Sequence, residues 1–401
     1  MGLLAAEVGA KPVHLTLSRD RVRALKSGSP WVYADSLREL PSARPGALAL
    51  IKTKDGDIIA KGMYDPGSAI AFRAVAVKER RLDDGLVAAR LERAVSLRER
   101  LFEGAATDGY RLVNGEGDGL PGLVCDLYAS TAVLKLDGAG PSGFYDTKGV
   151  AQWLTARLPR LTCVWLKHRA GEDSRGAPLL GPQPKAPVEF VENGVRFAAD
   201  VVMGQKTGFF LDQRDNRRRM QALYRGRRVL NLFAYTGGFS AYAGAAGAAH
   251  VTSVDLAAPA CAAADANWAL NGLPAGGHAA VAADCFQFLE DAAAAREAWD
   301  VVIVDPPSFA PSKQSVPKAT GSYERLFAKA AQVTAPGGIL ALSSCSSHID
   351  FPLFHQICEG AVGRARRCAS VLGVYGQPED HPFPAACPEL RYLKFVTHGL
   401  D

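Results

Sequence analysis

Short alternating runs of apolar and polar residues fill the first part of this chain, and near its midpoint they give way to continuous apolar runs separated by helical stretches. From about residue 12 to 80, "VHLTL", "ALALIK", "DIIAKGMY" and "AIAFRAVAV" are strand-like and divided by Gly/Pro turns, the pattern of a small β-rich domain. From 81 to 187, the helical "LVAARLERAVSLRERLF" precedes "YRLVNGEGDGLPGLVCDLYASTAVLKLD" and a second helix through "GVAQWLTARL", which predicts a small α+β domain. The "NGEGDGLPG" inside it suits a hairpin turn. The Gly/Pro-rich end, "RGAPLLGPQPKAP", is expected to be a linker.

From 188 to 401 the rhythm is strand then helix. "RVLNLFAY" leads to "SAYAGAAGA", "HVTSVDL" to "PACAAADANWALNG", "AAVAAD" to "CFQFLEDAAAA", "WDVVIVD" to "YERLFAKAAQV", and "GILALSS" to "FHQICEGAV". Five such pairs predict a doubly wound parallel sheet, an α/β fold. In open sheets of this kind ligands bind at the carboxyl ends of the strands, so the residues there matter most.

Those residues are informative. "WDVVIV" is stopped by Asp305 and two prolines, which places Asp305 at the carboxyl edge. The first turn, Phe233, Ala234, Tyr235, Thr236 and Gly237, with Gly238 after it, lets a ligand approach the backbone closely. It lacks G-x-G-x-x-G, which argues against a dinucleotide and so against a nicotinamide dehydrogenase. Asp255 ends the second strand, where an acid accepts ribose hydroxyls in many nucleotide binders, and Asp284 with Cys285 ends the third. Any one acid could merely cap a helix. Three at successive strand ends, with Pro306 closing the last, describe a pocket for an adenosine-like ligand without a phosphate chain, which suggests S-adenosylmethionine.

Cys345, in "SSCSS" just past the fifth strand, lies on the same edge as Asp305 and is the candidate nucleophile among eight cysteines. None of the eight forms a C-x-x-C pair or a Cys/His cluster at metal spacing, so no metal is expected and reduced thiols in a cytoplasmic compartment fit best. The first twenty residues lack a secretory pattern, and no apolar run has the length of a membrane span. The formal charge of +5 permits a nucleic-acid partner without requiring one. Candidate phosphate contacts are Lys206 and the run holding Arg214, Arg217 and Arg218, together with Lys26 and Arg73 in the first block. Trp31, Tyr33 and Tyr64 are read as core of that block rather than platforms for bases.

Taken together, "GQKTGFFLDQRDNR", "VLNLFAYTGGFS", "SVD", "DPPSF", "SSCSS" and "DHPFPAACPELRYLKF" resemble the bacterial class I S-adenosylmethionine-dependent methyltransferases that form 5-methylcytosine in large-subunit (23S) ribosomal RNA. The likeness extends to "LKSGSPWVYADSL", similar to that family's N-terminal PUA domain, an RNA-binding β-barrel, and to "YRLVNGEGDGLPGLVCD" of its central domain. The resemblance implies a Rossmann-like domain over 188–401, a PUA-like domain over 12–80 and a central domain over 81–187. It implies that Cys345 adds to ring carbon 6 of a flipped or unpaired cytosine, that Asp305 stabilises the adduct at nitrogen 3, and that carbon 5 then takes the methyl group. Several RNA cytosine methyltransferases carry a second cysteine after the paired prolines, where this chain has Ser308. A homodimer is compatible with the resemblance. The rival with similar segments is a ribosomal RNA guanine methyltransferase (N7 or N2), which uses no covalent thiol; a non-catalytic RNA-binding assembly factor is a third reading.

Overall fold

The structure, a computed structural model, describes residues 2–5, 11–53, 56–79, 81–168 and 175–401; residues 1 and 6–10, part of the N-terminal stretch inspected above for a targeting signal, lie outside these. The chain forms two compact units. One comprises Met1–Phe190, Ala199–Leu211 and Glu379–Pro388; the other comprises Val191–Ala198, Asp212–Pro378 and Glu389–Asp401.

The first unit begins with β1 (Val13–Thr16), α1 (Val22–Lys26), β2 (Trp31–Val32), β3 (Ala47–Lys52), β4 (Ile58–Tyr64) and β5 (Phe72–Ala76). Its strands form one sheet in the order β1-β3-β4-β5-β2, parallel only between β1 and β3. Leu15, Val32, Ile51, Tyr64 and Phe72 fill its core. Of the three aromatics expected there, only Tyr64 is fully buried, its hydroxyl donating to the Pro41 carbonyl at 3.0 Å. Trp31 is half-buried and donates to Glu116, and Tyr33 is 38% exposed, because β2 is a short edge strand with one open side.

The same unit continues with α2 (Asp84–Leu101), β6 (Gly109–Asn114), β7 (Leu123–Tyr128), β8 (Thr131–Leu136), α3 (Ala139–Phe144), α4 (Thr147–Arg157), β9 (Cys163–Lys167) and β10 (Ala177–Leu180), with sheet order β10-β9-β8-β7-β6. Asp83 caps α2 by accepting from the Leu86 amide. Val87, Leu91, Ala94 and Val95 share one helical stripe and belong to the same core as Leu112, Leu123 and Leu134 of the sheet. "NGEGDGLPG" is the predicted turn, between β6 and β7, with Gly119 and Gly122 both at φ 72°. Part of the expected linker is instead β10, since 177–180 pair antiparallel with β9.

Beyond the ribbon of β11 (Val188–Glu192) and β12 (Val195–Ala199), within whose strands the division between units falls, come α5 (Arg214–Met220), β13 (Arg228–Leu232), α6 (Gly238–Ala245), β14 (His250–Asp255), α7 (Ala258–Leu270), β15 (His278–Ala282), α8 (Cys285–Ala294), β16 (Trp299–Val304), α9 (Val316–Gln332), β17 (Thr334–Ser344), α10 (Phe351–Arg364), β18 (Ala369–Tyr375) and β19 (Lys394–Leu400). The order β15-β14-β13-β16-β17-β19-β18 makes the first five parallel, as the five strand-helix pairs predict. The chain's direction of winding reverses at β13, between β14 and β16, which opens the ligand crevice there. The antiparallel β19 and β18 were not foreseen in the sequence. Leu230, Val302, Val304, Leu340 and Leu342 of the sheet share a core with Leu289, Phe327 and Phe354 of the helices.

Candidate active site

The turn after β13 is held in a costly shape. Phe233 and Tyr235 adopt left-handed φ of 57° and 47°, each costing about 1–3 kcal/mol, and such strain is typical of ligand clamps. Gly237, at φ 75°, is the N-cap of α6, and a Cβ there would lie 2.8 Å from the Ala264 side chain. Asp255 fixes the turn by accepting from the Tyr235 amide at 2.9 Å, and its other oxygen accepts from Ala257 at 3.0 Å. Each oxygen keeps a second acceptor site. The Thr236 hydroxyl is buried without a hydrogen-bond partner among the described residues. An orphaned hydroxyl beside a strained turn is what a bound polar ligand would satisfy.

Two residues of the predicted pocket also have structural roles. Asp284 is the N-cap of α8, its Oδ1 accepting from the Phe286 and Gln287 amides, which leaves Oδ2 open. The Cys285 side chain is packed in the core with its sulfur 3.7 Å from the Val254 carbonyl, and burial pushes the thiol up to about 12. Its thiol therefore cannot serve a ligand. The sequence reading missed Leu256, 74% exposed at the strand end beside Asp255; Phe286, which follows Asp284 and Cys285 where adenine is often held, is half-buried. Both are apolar surfaces suited to a flat ring.

Asp305 and Cys345 follow adjacent parallel strands, with Val304 in register with Leu342. Both are half-buried, while Pro306 is buried and Pro307 exposed. Burial raises Asp305 to about 6 against hydrogen bonds from Ser343 and Gln213. The serines around Cys345 are scaffold: Ser346 meets the Tyr323 hydroxyl and the Ser308 hydroxyl at 2.9 Å each, and Ser344 donates to Tyr323 at 3.1 Å. Tyr323, Gln213 and Lys394, which shape this edge, went unnoticed in the sequence. A lysine inside the apolar "YLKFV" was the available signal, because a charge placed there needs partners.

The raised Asp305 makes a pH prediction. Its folded pKa of about 6 exceeds the ordinary 3.8, so the native state binds more protons between those values and loses stability as pH rises through them. Asp305→Asn does not titrate. The variant is expected to be more stable than wild type above pH 6 by about 1–3 kcal/mol, with the difference vanishing below pH 4. Urea unfolding at several pH values measures this, and equal stability at pH 7.5 would contradict it.

The basic candidates divide sharply. Arg217 forms a bidentate pair with Glu192 at 2.7 and 2.8 Å, both side chains buried, and the Tyr242 hydroxyl donates to the same carboxylate at 3.0 Å. Arg214 is buried against Asp215. In the first unit Arg73 is buried between Glu116 and Asp137, at 2.7 and 3.0 Å. These three arginines are corrected to structural roles: their charge is already neutralised and their heads cannot reach a phosphate. Arg218, Lys206 and Lys26 are exposed, Lys206 lying 5.1 Å over the Phe210 ring. A groove of about 680 Å³ in the first unit is lined by Lys26 and by the exposed Lys78, Arg93 and Arg100, the last three absent from the sequence reading.

Residues 150–362, more than half of the chain, match the family profile described as S-adenosylmethionine-dependent methyltransferase, and residues 15–76 match a PUA-like domain. A ribosomal RNA large subunit methyltransferase of Deinococcus radiodurans is 38% identical across 99% of this chain and 100% of its own length. The chain belongs to the S-adenosylmethionine-dependent ribosomal RNA large subunit methyltransferases. A ribosomal RNA large subunit methyltransferase I of Photobacterium profundum is 36% identical over 94% of this chain and 97% of its own. A SAM-dependent methyltransferase from Streptococcus mutans, 22% identical, shares the fold with a TM-score of 0.85 over 96% of this chain and 100% of that one. The class I fold and the S-adenosylmethionine cofactor of the family agree with the strained turn, the unpartnered Thr236 and the open acceptor sites of Asp255. No helix among the described residues is long and apolar enough to cross a membrane.

Proposed function

We propose that this methyltransferase forms 5-methylcytosine in large-subunit ribosomal RNA, with Cys345 as nucleophile and Asp305 as the acid at ring nitrogen 3. The observation that carries the reading is the placement of a half-buried cysteine and a carboxyl of raised pKa at the ends of neighbouring strands. Phe233–Gly237, Asp255, Asp284 and Pro306 would hold the cofactor, Asp284 through Oδ2 and residue 285 through its backbone only. Bound there, S-adenosylmethionine supplies an electrophilic methyl group.

The Cys345 thiolate adds to carbon 6, which turns carbon 5 into a nucleophile. Asp305, protonated below about 6, gives nitrogen 3 the proton that neutralises the adduct, and takes it back when the thiolate leaves. Burial serves this exchange, since a carboxyl near neutrality both donates and accepts. Once carbon 5 carries the methyl group, its proton passes to a solvent base as the carbon 6–sulfur bond breaks, which restores the ring's double bond and the thiolate. The exposed Lys26, Lys206 and Arg218 support phosphate contact. The eight cysteines, all among the described residues, form no disulfide, which is compatible with a reducing cytoplasm. On edge strand β18, exposed Val371, Leu372 and Val374 favour a homodimer.

Incubation with radiolabelled S-adenosylmethionine and unmodified large-subunit ribosomal RNA, followed by nucleoside analysis, tests the product. Labelled 5-methylcytidine is expected; labelled methylguanosine would transfer the assignment to the guanine enzymes.

A further inference from the structure

Lys394 opens β19 and lies opposite Ser344 across the antiparallel pairing with β17. Only 1% of it is exposed, and its ammonium donates to the carbonyls of Ser346 at 2.7 Å and Tyr392 at 2.6 Å. These bonds use two of its three protons and supply no counter-charge. A buried ammonium without a bonded carboxylate is costly, so its retention calls for a compensating anion. Two groups act on it electrostatically: Cys345, the residue just before the carbonyl it grips, and Asp350, the exposed N-cap of α10. Burial lowers Lys394 to about 8, against the pull of those two. Facing the thiol from α9 is Tyr323, whose phenol is raised by burial and, to a smaller extent, by Cys345.

We propose that Lys394 is a positioning residue that holds Cys345 as the thiolate, setting a buried positive charge beside it while clamping the backbone of the next residue. Thiols next to lysine are more acidic and correspondingly more available as nucleophiles. The clamp explains why the cation stays put: the bonds to Ser346 and Tyr392 fix the ammonium on the strand next to the cysteine's. The significance for catalysis rests on the cytosine reading, whereas the state of the thiol does not.

Alkylation of the full-length protein by iodoacetamide between pH 6 and 10, read at each cysteine by peptide mass spectrometry, tests this. In wild type the Cys345 rate is expected to have its midpoint below the ordinary thiol value of about 8.5. In Lys394→Met that midpoint is expected to move up by about one pH unit or more, and Lys394→Arg should restore most of the difference. The exposed Cys368 serves as an internal reference whose profile is the same in all three. Superposed Cys345 profiles in wild type and Lys394→Met would overturn the proposal. Should the methionine variant fail to fold, seen as alkylation of the buried Cys125 and Cys358, the wild-type profile decides, and a midpoint at or above about 8.5 overturns it. Methylguanosine as product would sink the cytosine reading and leave the thiol profile standing, so the two failures are distinguishable.

Discussion

Cys345→Ala is expected to lower 5-methylcytidine formation by about 10³–10⁶-fold while leaving cofactor binding intact. Carbon 5 of cytosine is too weak a nucleophile to take a methyl group unaided, so losing the thiol removes the activated intermediate rather than slowing one step of many. The substitution deletes only a sulfur from a half-buried position, so unfolding midpoints should barely move. Alanine at the core residue Cys285 is the matched control: it should cost stability and spare turnover, because that thiol is buried away from solvent. Parallel assays of labelled nucleoside, cofactor titration and urea unfolding check all three. Methyl transfer surviving in Cys345→Ala would rule out the covalent mechanism.

Arg217→Met should destabilise the protein by about 3–5 kcal/mol, the size expected when one partner of a buried ion pair is removed and the other is left uncompensated. Glu192 would remain fully buried with, among the described residues, the Tyr242 hydroxyl left to bond its carboxylate. Glu192→Gln leaves the opposite charge stranded and is expected to cost nearly as much. Arg218→Ala, one residue further on, is exposed and should leave stability within about 0.5 kcal/mol. If Arg218 touches phosphate, its loss weakens RNA binding and reduces the salt slope by about one. Urea midpoints and RNA titrations at several salt concentrations separate these outcomes. Weak RNA binding with full stability in Arg217→Met would reverse the assignment made from the buried pair.

The sequence by itself determined the five strand-helix pairs, because continuous apolar runs alternating with helical stretches have few other ways to bury themselves. It also determined that Asp255, Asp305 and Cys345 stand at one edge, since parallel strands bring their carboxyl ends together wherever each run stops. Strands β18 and β19 were harder to foresee: β19 opens on a lysine and carries a histidine, and β18 is largely exposed.

Only the tertiary structure decided what the charges do. In "RDNRRR" every arginine looks alike, yet the turn of α5 buries Arg214 and Arg217 and leaves Arg218 in solvent. Glu192, which claims Arg217, lies outside that helix on β11, and Arg73 finds Glu116 on a turn 43 residues away. A local pattern specifies that a side chain carries charge, whereas its counter-ion is brought to it by strand pairing and helix packing across long stretches of chain. The same holds for Lys394, whose grip on Ser346 spans 48 residues and exists only because β19 inserts antiparallel beside β17.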